Sequence, residues 1–392
     1  MQSLRYSEAH TQDKQPLQTS PLHMTLPLRP DIASLVVIWG GLFIGFLLGA
    51  VAQSTRFCTM GALADWFTYG GTARLLMWVL AVAVAATGAL VLIEGAWLDA
   101  TMTNAWSTRL LWLSNIAGGL IFGFGMVLAS GCPQRNLVKA GAGNLKAMVT
   151  LLIAAVTAQM TLRGVLSEVR VRVLDSASIA LSYPQDLGSI LSNWSGWSST
   201  SLRWLILGGY LLIAGVSLYR NRSRMDAPHW FGGAAVGVLV IGAWALTGHF
   251  GYIPEHPETL EPAWIGTYSH RPEALTFAAP IAHSLDLLTL WSDRNNVATY
   301  GVMVCLGTLF GSAVLALIRK EFRIESFHST KDLGNHMAGG ALMGFGGVTA
   351  MGCSIGQGIT GLSLQSAGAC LAVAGIVTGT WLALRFQSWQ MD

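Results

Sequence analysis

Charge is scarce in this chain of 392 residues: Asp, Glu, Lys and Arg together make up 11%, against about 25% in an ordinary soluble domain. So little charge cannot cover a water-facing surface of this size, and soluble enzyme classes are set aside. The five cysteines, Cys58, Cys132, Cys305, Cys353 and Cys370, include no CxxC pair, which argues against a disulfide framework and against a zinc or dithiol redox motif. No glycine-rich phosphate loop ending in Gly-Lys-Ser or Gly-Lys-Thr occurs, so direct ATP hydrolysis is unsupported. The net charge is only +3, and nucleic-acid binding leaves no basic footprint. What is abundant is apolar: 52% hydrophobic residues, 45 glycines and a mean hydropathy of +0.51. The apolar residues fall in runs of about 20, the length that crosses a hydrocarbon core of about 30 Å.

Hydropathy predicts nine membrane spans, at 31–52, 73–95, 108–130, 144–163, 203–219, 230–247, 297–318, 336–352 and 366–385. A tenth apolar stretch, 274–291, is interrupted by Pro280, His283 and Asp286 and reads as part of a partly inserted loop. The first 30 residues are polar, without a basic region leading into an apolar one, and are expected to be a tail rather than a cleaved signal. The short loops at 53–74, 131–146, 220–229, 319–335 and 386–392 concentrate the basic residues, including Arg220, Arg222, Arg224, Arg319, Lys320 and Arg323. The positive-inside rule makes that side cytoplasmic. Nine spans then leave the N-terminus outside and the C-terminus in the cytoplasm.

Residues 118–132, GGLIFGFGMVLASGC, match 339–353, GGALMGFGGVTAMGC, at nine of fifteen positions without a gap. Weaker copies stand at 40–58 and 232–249. In the nine-span arrangement the first two copies run from outside to inside and the last two from inside to outside, so the chain reads as two inverted repeats. Such repeats are a transporter signature, with the site near the midplane where broken helices meet. The expected organisation is a tail at 1–30, a first repeat at 31–165, a connecting loop and linking helix at 166–229, and a second repeat at 230–392. Each copy carries glycines four apart, Gly41/Gly45, Gly119/Gly123, Gly233/Gly237 and Gly340/Gly344, a spacing that serves close helix packing in lipid. Gly131-Cys132-Pro133 and the run Gly352 to Gly358 break the helix instead, and non-helical backbone at that depth is tolerated only inside protein or along a cavity. Breaks of this kind expose N–H groups and a positive partial charge suited to anions.

Arg56-Phe57-Cys58, Gly131-Cys132-Pro133 and above all GGALMGFGGVTAMGCSIGQGITG at 339–361 closely resemble the YeeE/YedE family of sulfur-compound transporters. The resemblance covers most of the chain from about residue 31 onward. It implies an all-α polytopic membrane protein of the bacterial inner membrane, with inverted-topology repeats whose re-entrant loops meet at the midplane. It further implies import of thiosulfate or a similar small sulfur oxyanion, with three loop cysteines needed for transport, at the positions held here by Cys58, Cys132 and Cys353. Cys305 and Cys370 match none of them. Members tied to selenium metabolism or to small cytoplasmic sulfur-carrier proteins keep such a carrier open as a partner.

A dianion such as thiosulfate cannot enter hydrocarbon bare, so something must replace its water. A fixed Lys or Arg in the path would hold it too tightly for release. Thiols are weak S–H donors, largely protonated at neutral pH, and offer soft contacts to a sulfur-bearing ion. Backbone N–H groups at Gly131 and Gly352 would then supply the electrostatics while Cys58, Cys132 and Cys353 pass the ion along. Asn136, Ser354 and Gln357 could donate to an oxyanion or cap a broken helix. Arg56 and Arg135 read as cytoplasmic anchors. In the segment 266–272, taken as the fourth re-entrant position, Thr267, Tyr268 and Ser269 would stand in for the missing thiol. His249, His270 and His283 show no metal-ligand spacing, and no cofactor is expected. A competing reading is a membrane thiol enzyme in which Cys132 or Cys353 carries a persulfide to the carrier. A third is a channel-like regulatory subunit.

Overall fold

The computed structural model describes residues 29–256, 259–293 and 296–390. Of the polar tail expected at 1–30, residues 1–28 lie outside the described residues. In chain order the helices are α1 (Pro30–Thr55), α2 (Thr59–Tyr69), α3 (Ala73–Glu94), α4 (Trp112–Leu128), α5 (Pro133–Gly141), α6 (Leu145–Leu162), α7 (Val165–Val169), α8 (Leu187–Ser195), α9 (Ser199–Arg220), α10 (Ala227–Ala245), α11 (Ala278–Thr289), α12 (Tyr300–Ile318), α13 (Thr330–Thr349) and α14 (Ala367–Trp389). A wider helical turn, Gly356–Gly361, precedes α14. The only strands among the described residues are two-residue ladders in the connecting loops, Arg109–Leu110 with Ile179–Ala180 and Tyr252–Ile253 with Ala263–Trp264. The protein is an all-α polytopic membrane protein.

Eight helical segments among the described residues are long and apolar enough to cross a membrane. The expected span at 336–352 falls in α13, whose first two turns carry Lys331, Asp332, Asn335 and His336, polar residues that lower its hydropathy. At 20 residues α13 is still roughly 30 Å long, and it packs against both α4 and α6. The interrupted stretch 274–291 resolves into α11, a helix of 12 residues, about 18 Å long and too short to span. The long helices start where their sequences provide caps. Asn144 Oδ1 accepts from Ala147 N–H at 3.0 Å, Ser329 Oγ accepts from Asp332 N–H at 3.1 Å, and Pro stands in the first turn of α1, α5 and α10.

Glycine decides which helices pair. α1 lies along α12 and α10 along α3; α4 lies along α14 and α13 along α6; α4 and α13 cross each other. A Cβ on Gly41 would meet the Tyr300 ring at 2.8 Å, one on Gly233 the Met77 carbonyl at 2.6 Å, and one on Gly340 the Thr150 carbonyl at 2.7 Å. Gly119 faces Ala372 O and Gly123 faces Ile376 O in the same way. At the α4/α13 crossing the approach is reciprocal: a Cβ on Gly118 would meet Ala350 N at 2.5 Å, and one on Gly339, its match in the repeated motif, Ala129 N at 2.6 Å. Backbone approach this close is the packing that small residues permit in lipid.

Candidate substrate path

Three of these helices end in the same way. Arg56, Ser130 and Met351, none of them glycine, adopt left-handed backbone with φ of 55°, 53° and 58°. Each stands two residues before a cysteine: Cys58, Cys132 and Cys353. A side chain in that conformation costs roughly 1–2 kcal/mol, and strain of this kind collects where the chain must be held in one shape. The turns after α4 and α13 coincide in detail, since Gly131 N–H donates to Met126 O and Gly352 N–H to Gly347 O, both at 2.8 Å.

Beyond each turn the cysteine stands at the head of the next helical segment, and at two of the three its sulfur takes a backbone N–H. Gly61 N–H donates to Cys58 Sγ at 3.3 Å and Gly356 N–H to Cys353 Sγ at 3.4 Å, whereas Cys132 holds the N-cap position of α5 without a side-chain capping hydrogen bond. At Cys58 and Cys353 the sulfur thus occupies the position where a capping oxygen takes an otherwise unpaired N–H. Four residues after Cys132, Asn136 Nδ2 donates to Gly131 O at 2.9 Å. Four residues after Cys353, Gln357 Nε2 donates to Ala350 O at 2.6 Å. Both amides therefore brace their breaks, so of the two roles open to them the capping one is occupied in this structure.

Cys132 and Cys353 are fully buried and Cys58 is 7% exposed. Cys132 sits within electrostatic reach of both other thiols, facing Ser354, whose hydroxyl is buried and makes no well-formed hydrogen bond. Cys353 takes further contacts from the Thr276 side chain and the Phe277 backbone N–H. Phe277 stands immediately before α11, so the segment that carries Tyr268 and Ser269 leads into Thr276 and Phe277 beside Cys353. Cys305 lies in α12, buried and within reach of Cys353, and Cys370 is half-buried against Tyr210.

Tyr268 and Ser269 line a cavity of about 290 Å³ that also touches Glu273, Thr276, His283 and Gly352. Tyr268 stacks on His283 with ring centroids 3.6 Å apart, and the Arg163 guanidinium stands 5.3 Å from its ring. Ser269 donates its hydroxyl and its N–H to Glu273 Oε1. A second cavity, of about 110 Å³, shares Glu273, Thr276 and Met351 with the first and reaches Gln357 and Gly356. On the opposite flank of Cys132, Lys139 Nζ donates to Ser130 O at 2.6 Å and Arg135 Nη1 to Ala52 O at 3.4 Å. Thr276 and Glu273 carry no sequence signal of their own, and only the position of α11 brings them to the cavities. No group of three or more His, Cys, Asp or Glu residues placed to hold a metal occurs among the described residues.

A family model described as sulphur transport matches residues 54–382. The chain belongs to the sulphur transport family. Two relatives carry the name Thiosulfate transporter TsuA. The one from Escherichia coli (strain K12) is 25% identical over 366 residues, covering 88% of this chain and 94% of its own length. The one from Spirochaeta thermophila is 25% identical over 354 residues, covering 88% and 97%. As a member of the sulphur transport family the chain is a multi-pass membrane transporter, not an enzyme, and the break motifs around Cys58, Cys132 and Cys353 all fall within the matched region.

Proposed function

We propose that this chain imports thiosulfate, or a sulfur oxyanion of similar size and charge, through the bacterial inner membrane along a path lined by Cys58, Cys132 and Cys353. The observation that supports the reading is the repeated device at the three breaks: a left-handed turn followed two residues on by a buried thiol at the head of a helical segment, whose sulfur takes a backbone N–H at Cys58 and Cys353. Segments that start inside the protein aim N–H groups and the positive end of the helix dipole at the space between them. An oxyanion entering that space takes these donors, at about 1.5–3 kcal/mol for each hydrogen bond to a charged group, in place of water. The thiols turn to contact the ion's terminal sulfur. Uncharged thiols and backbone donors bind without the grip of a fixed cation, and three successive contacts let the ion step.

In this reading the cavity lined by Tyr268 and Ser269 opens to the outside and the Lys139 and Arg135 flank faces the cytoplasm, with the N-terminus outside and the C-terminus inside. Gly131 and Gly352 keep the turns narrow: a Cβ on Gly131 would meet the Arg135 side chain at 3.2 Å and one on Gly352 the Gln357 side chain at 3.1 Å. Ser354 adds a hydroxyl beside Cys132. A soluble sulfur carrier, if one takes the ion over, acts after release on the Lys139 side, since the three path thiols are buried. The test is uptake of sulfur-labelled thiosulfate into proteoliposomes in competition with excess unlabelled anions. Thiosulfate is expected to compete and sulfate, which lacks the terminal sulfur, to compete weakly. Equal competition by sulfate would remove the role given to the thiols.

A further inference from the structure

Glu273 is an acidic side chain in the wall of a path assigned to an anion. It lines both cavities, the larger one reaching Gly352 and the smaller one Gly356, the residues that flank the Cys353 break. Its backbone is fixed from both sides, because Thr247 Oγ1 donates to Glu273 O at 2.6 Å and lies 3.1 Å from Glu273 N. Its side chain is fixed at one oxygen: Oε1 takes both Ser269 donors. No Lys or Arg pairs with it among the described residues. The remaining titratable and charged groups around it are Tyr300 from α12, whose buried hydroxyl has no hydrogen-bond partner, and Tyr268, His283 and Arg170 in the wall of the larger cavity.

An ionised carboxylate there would repel an approaching dianion strongly, since the surroundings screen poorly. A protonated one presents an O–H donor to the same ion. Burial raises this carboxyl above its ordinary value, and the Ser269 hydrogen bonds offset only part of that. Moving two negative charges into a cell with an inside-negative potential is uphill, and a proton travelling with the ion lowers the charge moved per cycle.

We propose that Glu273 binds the proton that accompanies the anion, which makes this chain a proton–anion symporter. The proposal rests on the transport reading above. In each cycle Glu273 Oε2 takes one proton from the outer solution, donates it to the bound oxyanion as a hydrogen bond, and releases it to the cytoplasm after the ion has left. One proton and one dianion cross together, with a net transfer of one negative charge.

The experiment compares wild type, Glu273→Gln and Glu273→Asp in proteoliposomes, with labelled thiosulfate and an imposed inside-alkaline gradient. One pH unit, about 1.4 kcal/mol per proton, raises steady-state accumulation about tenfold in wild type. Glu273→Asp keeps that response. Glu273→Gln, which cannot release a proton, still exchanges labelled for unlabelled thiosulfate at a reduced rate but accumulates none in response to the gradient. Accumulation by Glu273→Gln that follows the gradient as wild type does, or wild-type accumulation that follows sodium instead, would overturn the proposal. Absence of even thiosulfate exchange in folded wild type would contradict the transport reading and this inference with it.

Discussion

Asn136 Nδ2 donates to Gly131 O at 2.9 Å, which closes the backbone gap that leaves Cys132 at the head of α5. The carbonyl is one that a helix break leaves without its own partner. Asn136→Leu would strand it in the protein interior at a cost of about 1–3 kcal/mol. Gln357→Leu would do the same to Ala350 O, the acceptor of the Gln357 amide. The expected outcome is a lower melting temperature in detergent for both variants, together with slower thiosulfate uptake because the thiol loses its fixed position. Unchanged stability in both would mean that water serves these carbonyls equally well.

The α4/α13 crossing gives a second test. Gly118→Ala places a methyl group 2.5 Å from Ala350 N, and overpacking of this kind costs about 1–3 kcal/mol. Gly208→Ala on α9 meets nothing within 4 Å and gains up to about 1 kcal/mol of helix propensity. Thermal melts of the two variants side by side should therefore move in opposite directions.

The packing faces were legible in the sequence, because each glycine pair that the repeat displays at 41/45, 119/123, 233/237 and 340/344 meets a neighbouring helix, but which helix each would meet was not. Cys132 and Cys353 were equally legible, since they end the two copies of the motif. The left-handed turns at Arg56, Ser130 and Met351 were not. None of these residues is the glycine that usually signals such a turn, and tertiary contacts impose the conformation. Glu273 and Thr276 stayed hidden for a different reason: they come to the path only through the fold of the segment between α10 and α11. The span that hydropathy predicts at 336–352 falls in α13, which opens on Lys331 and Asp332 and is not among the eight segments apolar and long enough to cross a membrane.

That polar opening predicts a pH dependence. Lys146 Nζ pairs with Asp332 Oδ2 at 2.8 Å and ties the start of α6 to the start of α13. The ammonium group holds the Asp332 carboxyl below its ordinary value, and the N–H of His328 and the neighbouring His336 act in the same direction. A carboxyl depressed in the folded state contributes stability that is fully present above its unfolded value of about 3.9 and is lost as pH falls through the folded value. Melting temperatures measured from pH 6 down to pH 3 should show this acid loss in wild type and a smaller one in Lys146→Met. An identical acid limb in the variant would place the loss elsewhere.

The central claim is that the ion passes the thiols at the three helix breaks, and it is tested most directly by uptake of labelled thiosulfate into proteoliposomes by wild type, Cys132→Ala and Cys305→Ala. Cys305 is a buried thiol too, 3% exposed within α12, but it stands at no break. The account predicts that Cys132→Ala loses uptake by at least tenfold while remaining folded, and that Cys305→Ala keeps most of it. Equal uptake by Cys132→Ala and wild type would contradict a thiol-lined path.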